Sequence, residues 1–223
     1  MNDLALPDLA SANSRVRQLP RPPTPASANS RARLDGLLSR IIEEPEKRAD
    51  ITAEIEREFT QRRAVMVLDM SGFSRTTQVH GVVSFLMMIH QMRLLAVPTI
   101  EARGGMLVKA EADNLYCLFE GVDDAVAAAR EIIRQLSTVN VLLPAGRRLY
   151  ASIGIGFGDV LVLAGEDLFG DEVNLASKLG EDVAQGGMVL LTEAARAELS
   201  VVVETVEERA SISGLTLVYH TVG

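Results

Sequence analysis

Two aspartates lie in apolar, strand-like stretches of the sequence, where an ionised carboxylate is costly to bury. Asp69 ends the run AVMVLD and is followed by Met-Ser-Gly, while Asp113 lies within LVKAEADNLYCLF, residues 107–119. Two carboxylates at one site also repel each other, and a divalent cation removes both penalties. Because Mg²⁺ is commonly held by carboxylates together with substrate phosphates, the pair indicates a metal–phosphate site. Taken singly, Asp69 could instead cap its strand and Asp113 could instead form an Asp-Asn turn.

Two further charged residues, Lys109 and Glu111, precede Asp113 in the same stretch. Lys109 is a candidate cationic site, since a charge on a rigid strand is held in a fixed position. Glu111 is assigned no role, and we expect it to pair with Lys109 or to face solvent. Cys117, the single cysteine, lies in the apolar run LYCLF and is expected to be a buried hydrophobic residue.

Rigid elements must hold these charges, and from residue 64 the hydrophobic pattern alternates between strands and helices. The pattern predicts, in order, a strand in AVMVLDM, a long apolar helix in QVHGVVSFLMMIHQMRLLAVPTIEAR, two strands joined near residues 110–114, an amphipathic helix in GVDDAVAAAREIIRQLSTVN, two strands in RRLYASIGIGFGDVLVLAG, a short helix in GDEVNLASKLGEDVAQ, a strand and a helix in GGMVLLTEAARAEL, and short terminal strands. This order predicts an α+β sandwich that begins β-α-β-β-α-β.

The N-terminal residues divide into two segments ahead of the domain at 61–223. Residues 1–30 contain RQLPRPPTPAS, whose four prolines favour an extended, disordered tail. Residues 31–60 place Leu34, Leu37 and Ile41 at helical spacing, and after Pro45 a charged helix with few apolar positions follows. We expect this helical extension to pack on a partner subunit or on the next domain as a dimer or regulatory element, or to be solvated with i,i+4 ion pairs.

Composition excludes several classes of protein. The chain has 223 residues, 48% of them hydrophobic, and a net charge of −8, so it is a poor non-specific binder of nucleic acid or anionic membrane. One cysteine allows no intrachain disulfide, which fits a reducing compartment. We find no secretory signal and no run of the roughly 20 apolar residues that a membrane span needs. We therefore expect a cytoplasmic protein with no membrane span and no nucleic-acid partner.

Three segments in order, VLDMSGFS, VKAEADNLYCLF and DLFGDEVNLASK, resemble the successive catalytic segments of the class III nucleotidyl cyclases. The resemblance covers roughly residues 60–222, and it depends on spacing: Lys109 precedes Asp113 by four residues, and Asp167 precedes Asn174 by seven. It implies a ferredoxin-like sandwich of the class III cyclase type. The segments look most like those of a bacterial homodimeric adenylate cyclase, which converts ATP to cyclic AMP and pyrophosphate.

The resemblance implies a metal and phosphate set. Asp69 and Asp113 would bind two Mg²⁺ or Mn²⁺ ions per site, helped by the backbone carbonyl of Met70. Gly72 and Phe73 would offer backbone N–H groups to the phosphates. Two such ions can activate the attacking ribose 3′-oxygen and stabilise the leaving pyrophosphate.

The resemblance also implies a base and ribose set. Lys109 and Asp167 would read adenine, since guanylate cyclases typically carry Glu and Cys at these places. Asn174 would orient the ribose, and Lys178 takes the place of the arginine that stabilises charge on the phosphate. In the family, the site forms between two domains that each supply one set. Because this chain carries both sets, a symmetric homodimer with two composite sites is implied.

Three positions depart from the family pattern. Ala112 stands where glycine usually precedes the second metal aspartate, and we expect its methyl group to be tolerated. Lys178 keeps the charge of the usual arginine but loses the bidentate fork. Ser213 stands where a phosphate-binding lysine usually precedes glycine, which predicts low activity or dependence on an activator.

Other functions stay open. A cyclase for GTP or a pyrimidine nucleotide would use the same mechanism, and a weakly active cyclase-like domain could bind nucleotide and regulate a partner. FGDEVN, residues 169–174, also suggests a diguanylate cyclase, but here GDE should open a helix rather than a hairpin turn. GIGFGD, residues 154–159, resembles a glycine-rich nucleotide loop, but we interpret its glycines as permitting close packing of the strand.

Overall fold

In a computed structural model of the chain, residues 25–70, 73–212 and 214–223 are described. The helices are α1 (Pro25–Glu43), α2 (Arg48–Phe59), α3 (Phe73–Ala102), α4 (Val122–Asn140), α5 (Asp171–Lys178) and α6 (Glu193–Glu198), with 3-10 turns at Pro45–Lys47 and Ala145–Arg147 and a π-helical turn at Leu179–Val183. The strands are β1 (Thr60–Met70), β2 (Met106–Glu111), β3 (Asn114–Phe119), β4 (Ala151–Leu163), β5 (Asp167–Phe169), β6 (Val189–Thr192), β7 (Thr205–Ile212) and β8 (Leu215–Val222).

The strands form one eight-stranded sheet in the order β2-β3-β1-β4-β6-β8-β7, with β5 paired to β4 outside this path. The pairing of β4 with β6 is parallel, and the other pairings among the described strands are antiparallel. The first six elements of the domain are β1, α3, β2, β3, α4 and β4. The predicted α+β fold and its β-α-β-β-α-β beginning are therefore confirmed.

Strand β1 is the centre of the core. Five consecutive residues, Ala64 to Leu68, are completely buried, which explains why the strand reads as a continuous apolar run rather than an alternating one. Met66 and Leu68 pack in the cluster that includes α3 and α4 residues, while Val65 and Val67 pack in the cluster that includes Val173 of α5. The sheet is thus covered on both faces where β1 runs.

One long strand replaces the two predicted between residues 147 and 165. β4 pairs with β1 from Ala151 opposite Met70 to Leu161 opposite Thr60, without a break in register. Its glycines, Gly154, Gly156 and Gly158, all lie within this ladder. Because β1 and β4 pair over the whole of β1, the end of β1 that carries Asp69 is fixed against Ser152.

The N-terminal helices pack on their own domain. Leu37 of α1 and Ile51 and Phe59 of α2 form a buried cluster with Leu163 of β4, which agrees with the expected packing on the next domain. Helix α1 begins at Pro25, so residues 25–30 of the predicted tail are helical, and proline is well tolerated in the first turn of a helix. The rest of the predicted tail lies outside the described residues.

Helix α3 is long and apolar enough to cross a membrane. Residues 81–102 form a 22-residue segment with a mean hydropathy of 1.4 in its most apolar window, of which 22% is buried. The expectation that no segment could span a bilayer is therefore not confirmed. A core helix of a soluble protein meets the same criteria, and α3 packs Met92 and Ile100 in the sheet core while Val83 and Leu86 are exposed.

Candidate active site

Glycines in β4 let helix α5 approach the sheet very closely. A Cβ atom at Gly154 would lie 2.0 Å from the carbonyl oxygen of Ala176, and one at Gly156 would lie 2.6 Å from that of Glu172. The Glu172 carboxylate accepts a hydrogen bond from the backbone N–H of Phe157 at 3.0 Å, which ties the helix to the strand. The expected role of the glycines in close packing is confirmed, and they set the position of α5.

Helix α5 carries two of the predicted site residues. Asn174 is exposed and Lys178 is half-buried, and their spacing of four residues places them on the same helix face. The helix opens at Asp171 with Gly170 as its N-cap, so the GDE sequence begins a helix as predicted. This arrangement does not match the hairpin expected for a diguanylate cyclase.

Asp69 and Asp113 act on each other electrostatically. Asp69 is the penultimate residue of β1, and Asp113 lies in the two-residue turn between β2 and β3. Burial, followed by the charges of Asp113 and Glu181, raises the pKa of Asp69 to about 7. Met70, whose carbonyl is predicted to help, ends the same strand and is buried. The structure thus brings together the two carboxylates that the sequence predicted as a pair.

Glu181 is a third carboxylate near this pair, and no sequence motif had indicated it. It lies in the π-helical turn after α5, and its Oε1 accepts hydrogen bonds from Asn114 Nδ2 at 3.1 Å and from the Tyr116 hydroxyl at 3.3 Å. Burial is the main cause that raises the pKa of Glu181, and the charge of Asp113 adds to it. In the sequence, Glu181 is recognisable only as a glutamate three residues after Lys178. Its contacts with Asn114 and Tyr116 depend on the π-helical turn, which the sequence does not reveal.

The donor set at Asp69 and Asp113 fits Mg²⁺ or Mn²⁺. Carboxylate and carbonyl oxygens are the hard ligands that these ions prefer. Within the described residues, no group of three or more His, Cys, Asp or Glu side chains is arranged to hold a metal ion. Two carboxylates with substrate phosphates and water would complete the coordination of such an ion.

Lys109 and Asp167, 58 residues apart in sequence, form an ion pair with 3.0 Å between Lys109 Nζ and Asp167 Oδ1. Lys109 Nζ also lies 3.0 Å from Glu111 Oε2 and 4.8 Å from the centre of the Tyr116 ring. Burial alone would lower the pKa of Lys109, but hydrogen bonds and charge from Asp167 and Glu111 outweigh it and raise the pKa. The expected pairing of Glu111 with Lys109 is therefore confirmed.

Arg31 of helix α1 reaches the same aspartate. Its Nε lies 3.0 Å from Glu166 Oε2, and its Nη2 lies 3.8 Å from Asp167 Oδ2. Asp167 Oδ1 already accepts hydrogen bonds from Lys109 and from the backbone N–H of Leu168. The N-terminal extension thus contacts a predicted base-reading residue, which no motif in the sequence indicated.

The metal pair and the base-reading pair lie at different places in the chain fold. Asp113 lies in the β2–β3 turn, whereas Lys109 lies within β2, two residues before that strand ends at Glu111. Phe73 is the first residue of α3, where backbone N–H groups lack intrahelical partners. Gly72 and Ser213 lie outside the described residues, so their predicted roles remain predictions.

Comparisons with known proteins give a consistent result, although no family model matches the chain. An adenylate cyclase of Streptomyces coelicolor (strain ATCC BAA-471 / A3(2) / M145) is 33% identical over 153 residues, which is 67% of this chain and 37% of that protein. A protein of Rhizobium meliloti (strain 1021), provisionally named adenylate cyclase 3, is 26% identical over 127 residues, which is 57% of this chain and 22% of that protein.

A solved structure agrees in fold. The adenylate/guanylate cyclase/hydrolase from Silicibacter pomeroyi superposes with a TM-score of 0.61 and 25% identity, covering 74% of this chain and 98% of that one. The chain belongs to the class III nucleotidyl cyclases. This cyclase chain spans well under half the length of the curated relatives that it matches.

The raised pKa of Asp69 predicts how the stability of the metal-free cyclase domain depends on pH. The folded state holds the proton on Asp69 up to about pH 7, whereas the unfolded chain releases it near the ordinary value of 3.8. The stability from this proton is fully present below that ordinary value and is lost as pH rises through about 7. Denaturant unfolding in the presence of a chelator should show this loss in the wild type and a smaller loss in Asp69→Asn.

Asp35→Asn, at an exposed position on α1, is the matched control and should keep the wild-type pH dependence. Equal pH dependence of unfolding in Asp69→Asn and the wild type would contradict the assignment of the buried proton to Asp69.

Proposed function

We propose that this domain is an adenylate cyclase that converts ATP to 3′,5′-cyclic AMP and pyrophosphate. The observation that carries the proposal is the 3.0 Å ion pair between Lys109 and Asp167. A lysine can donate to N1 of adenine, and an aspartate can accept from its 6-amino group. Guanine presents the opposite polarity at both places, and each unpaired buried polar group costs about 1–3 kcal/mol.

Metal binding is assigned to the end of β1 and the β2–β3 turn. Asp69, Asp113 and the carbonyl of Met70 would hold two Mg²⁺ or Mn²⁺ ions, which supply Lewis-acid activation of the 3′-oxygen and charge stabilisation of the leaving pyrophosphate. The electrostatic coupling of the two carboxylates supports this assignment, since a cation relieves their repulsion. The backbone N–H groups of Gly72 and Phe73 would bind the phosphates at the start of α3.

The remaining work is positioning and fixed charge. Asn174 would orient the ribose, and Lys178, one turn later on α5, would place a cation against the charge that develops on the α-phosphate. Lysine provides this charge without the planar fork of arginine. We therefore propose a slower reaction than an arginine at this position would give.

The two sets of residues are assigned to opposite faces of a composite site in a homodimer. Asp69 and Asp113 lie at the end of β1 and in the β2–β3 turn, whereas Lys109 lies within β2 and pairs with Asp167 of β5. Each copy would give its metal pair to one site and its base and ribose set to the other. This exchange is isologous, so a two-fold dimer closes with two sites.

A second candidate is a nucleotide-binding regulatory domain with little turnover. It is favoured by Lys178 in place of arginine and by the contact of Arg31 with Asp167, which occupies a base-reading group. Ser213 in place of lysine supports it as well. The retained metal carboxylates favour the enzyme.

The direct test is a product assay with the purified chain, Mn²⁺ or Mg²⁺, and ATP, GTP, CTP and UTP separately. We expect cyclic AMP from ATP alone, lost in Asp69→Ala, because that variant removes a metal carboxylate. Lys109→Glu with Asp167→Cys should shift the preference toward GTP, because these residues reverse the hydrogen-bond polarity. Cyclic product from another nucleotide in the wild type would contradict the adenine assignment.

The absence of cyclic product from any nucleotide would contradict the enzyme, provided that the protein is dimeric by light scattering and binds nucleotide. That result would support the regulatory domain.

We further propose that the N-terminal extension controls access to the base-reading pair. Arg31 lies on α1 and contacts Asp167 Oδ2, the oxygen that Lys109 leaves free. A bound adenine would have to compete with this guanidinium for the carboxylate. Movement of α1, caused by a partner or an activator, would release Asp167 for the nucleotide.

Arg31→Gln should therefore lower the KM for ATP. The ion pair is partly exposed, so we expect a change of about 2- to 5-fold, which corresponds to a surface pair worth up to about 1 kcal/mol. Arg33→Gln is the matched control, because Arg33 pairs with Glu54 and Glu58 of α2 rather than with Asp167. Steady-state kinetics of both variants test the proposal, and a higher KM in Arg31→Gln would contradict it.

A further inference from the structure

The turn that carries Asp113 has an unfavourable backbone conformation. Strands β2 and β3 pair Glu111 with Asn114, so Ala112 and Asp113 form a two-residue hairpin turn. Ala112 has a φ of +48°, the one positive φ among the described non-glycine residues. Two-residue hairpins of this kind require such a φ at their first position, and glycine normally supplies it. The methyl group that the sequence analysis expected to be tolerated is accommodated only with backbone strain.

Arg93 holds this turn from the neighbouring helix. Its Nη2 donates a hydrogen bond of 2.7 Å to the carbonyl oxygen of Ala112. Arg93 lies on α3, next to the core residue Met92 and three residues before Ala96, both completely or almost completely buried. The arginine therefore extends from a fixed position on the helix to the strained residue itself.

The Arg93 guanidinium also lies in the electrostatic field of Asp113. Burial lowers the pKa of Arg93, and the charge of Asp113 opposes that effect. Its Nε is buried and has no hydrogen-bond partner among the described residues. In the described part of the chain, the Nη2 hydrogen bond to the turn carbonyl and the charge of Asp113 both offset the partial desolvation of this side chain.

We propose that Arg93 is a positioning residue for Asp113: its hydrogen bond to Ala112 holds the turn in the conformation that directs the carboxylate toward Asp69. The inference rests on the proposed metal-binding role of Asp113. Where glycine occupies the first turn position, the conformation needs no such support. Arg93 and Ala112 therefore form a functional pair, and the effect of losing Arg93 depends on which residue stands at position 112.

The test is a double-mutant cycle of Arg93→Met, Ala112→Gly and the double variant. The first readout is hydrogen exchange of the β2–β3 hairpin in metal-free protein. The second is Mn²⁺ affinity without nucleotide. We expect Arg93→Met to speed hairpin exchange and weaken Mn²⁺ binding by about tenfold, and by less than about twofold when Ala112→Gly is also present. Arg93→Lys, which keeps a donor, should give an intermediate effect.

The cycle separates positioning from charge, because Ala112→Gly changes no charge. If Arg93 acts only through its charge, its loss changes Mn²⁺ affinity by the same factor with and without Ala112→Gly, and the proposal is overturned. Arg134→Met is the matched control, since Arg134 pairs with Glu131 on its own helix. It should leave both readouts unchanged, and thermal unfolding of each variant identifies any that fail to fold.

Failure of the proposed function gives a different result. If the wild type binds no Mn²⁺, the metal assignment fails, while the hydrogen exchange of the hairpin still decides whether Arg93 holds the turn. Equal hairpin exchange in the wild type and in a folded Arg93→Met variant would overturn the positioning role, whatever the activity of the enzyme.

Discussion

The close approach of helix α5 to strand β4 is the constraint on which the candidate site depends. No side chain fits at Gly154, where a Cβ atom would lie 2.0 Å from a helix carbonyl oxygen. Because α5 lies so near the sheet, the π-helical turn that follows it places Glu181 against the β2–β3 hairpin. One edge of β4 pairs with the whole of β1 and so fixes Asp69. Strand β4 thus sets the position of α5 through its glycines and the position of Asp69 through its pairing with β1.

Charge is divided between two places in the domain. Asp69, Asp113 and Glu181 concentrate negative charge near the β2–β3 turn, and burial, followed by the charges of Asp113 and Glu181, raises the pKa of Asp69 to about 7. At the other place, Asp167 lies between Lys109 and Arg31, so this carboxylate is already compensated in the free protein. The carboxylates near the β2–β3 turn therefore favour a bound cation. Asp167 and Lys109, in contrast, must give up existing ion-pair contacts when they bind a nucleotide base.

Hydrophobic periodicity predicted the order of elements, and the resemblance to class III cyclases grouped Lys109 with Asp167, which form an ion pair in the structure. Sequence patterns did not predict that β4 is one strand, because its length is set by its continuous pairing with β1, which lies far away in the sequence. Arg31 and Glu181 were missed for a related reason. Their contacts depend on how α1 and the π turn pack against distant strands, and neither residue belongs to a motif.

Complementation between two inactive variants tests the central claim, a composite site in a homodimer, most directly. One copy carries Asp113→Ala and the other carries Asn174→Ala, with different tags so that mixed dimers can be quantified. Each variant alone should make no cyclic AMP, whereas an equal mixture should recover about a quarter of wild-type activity, since half of the dimers are mixed and each has one intact site. No recovery in a preparation shown to contain mixed dimers would contradict the account.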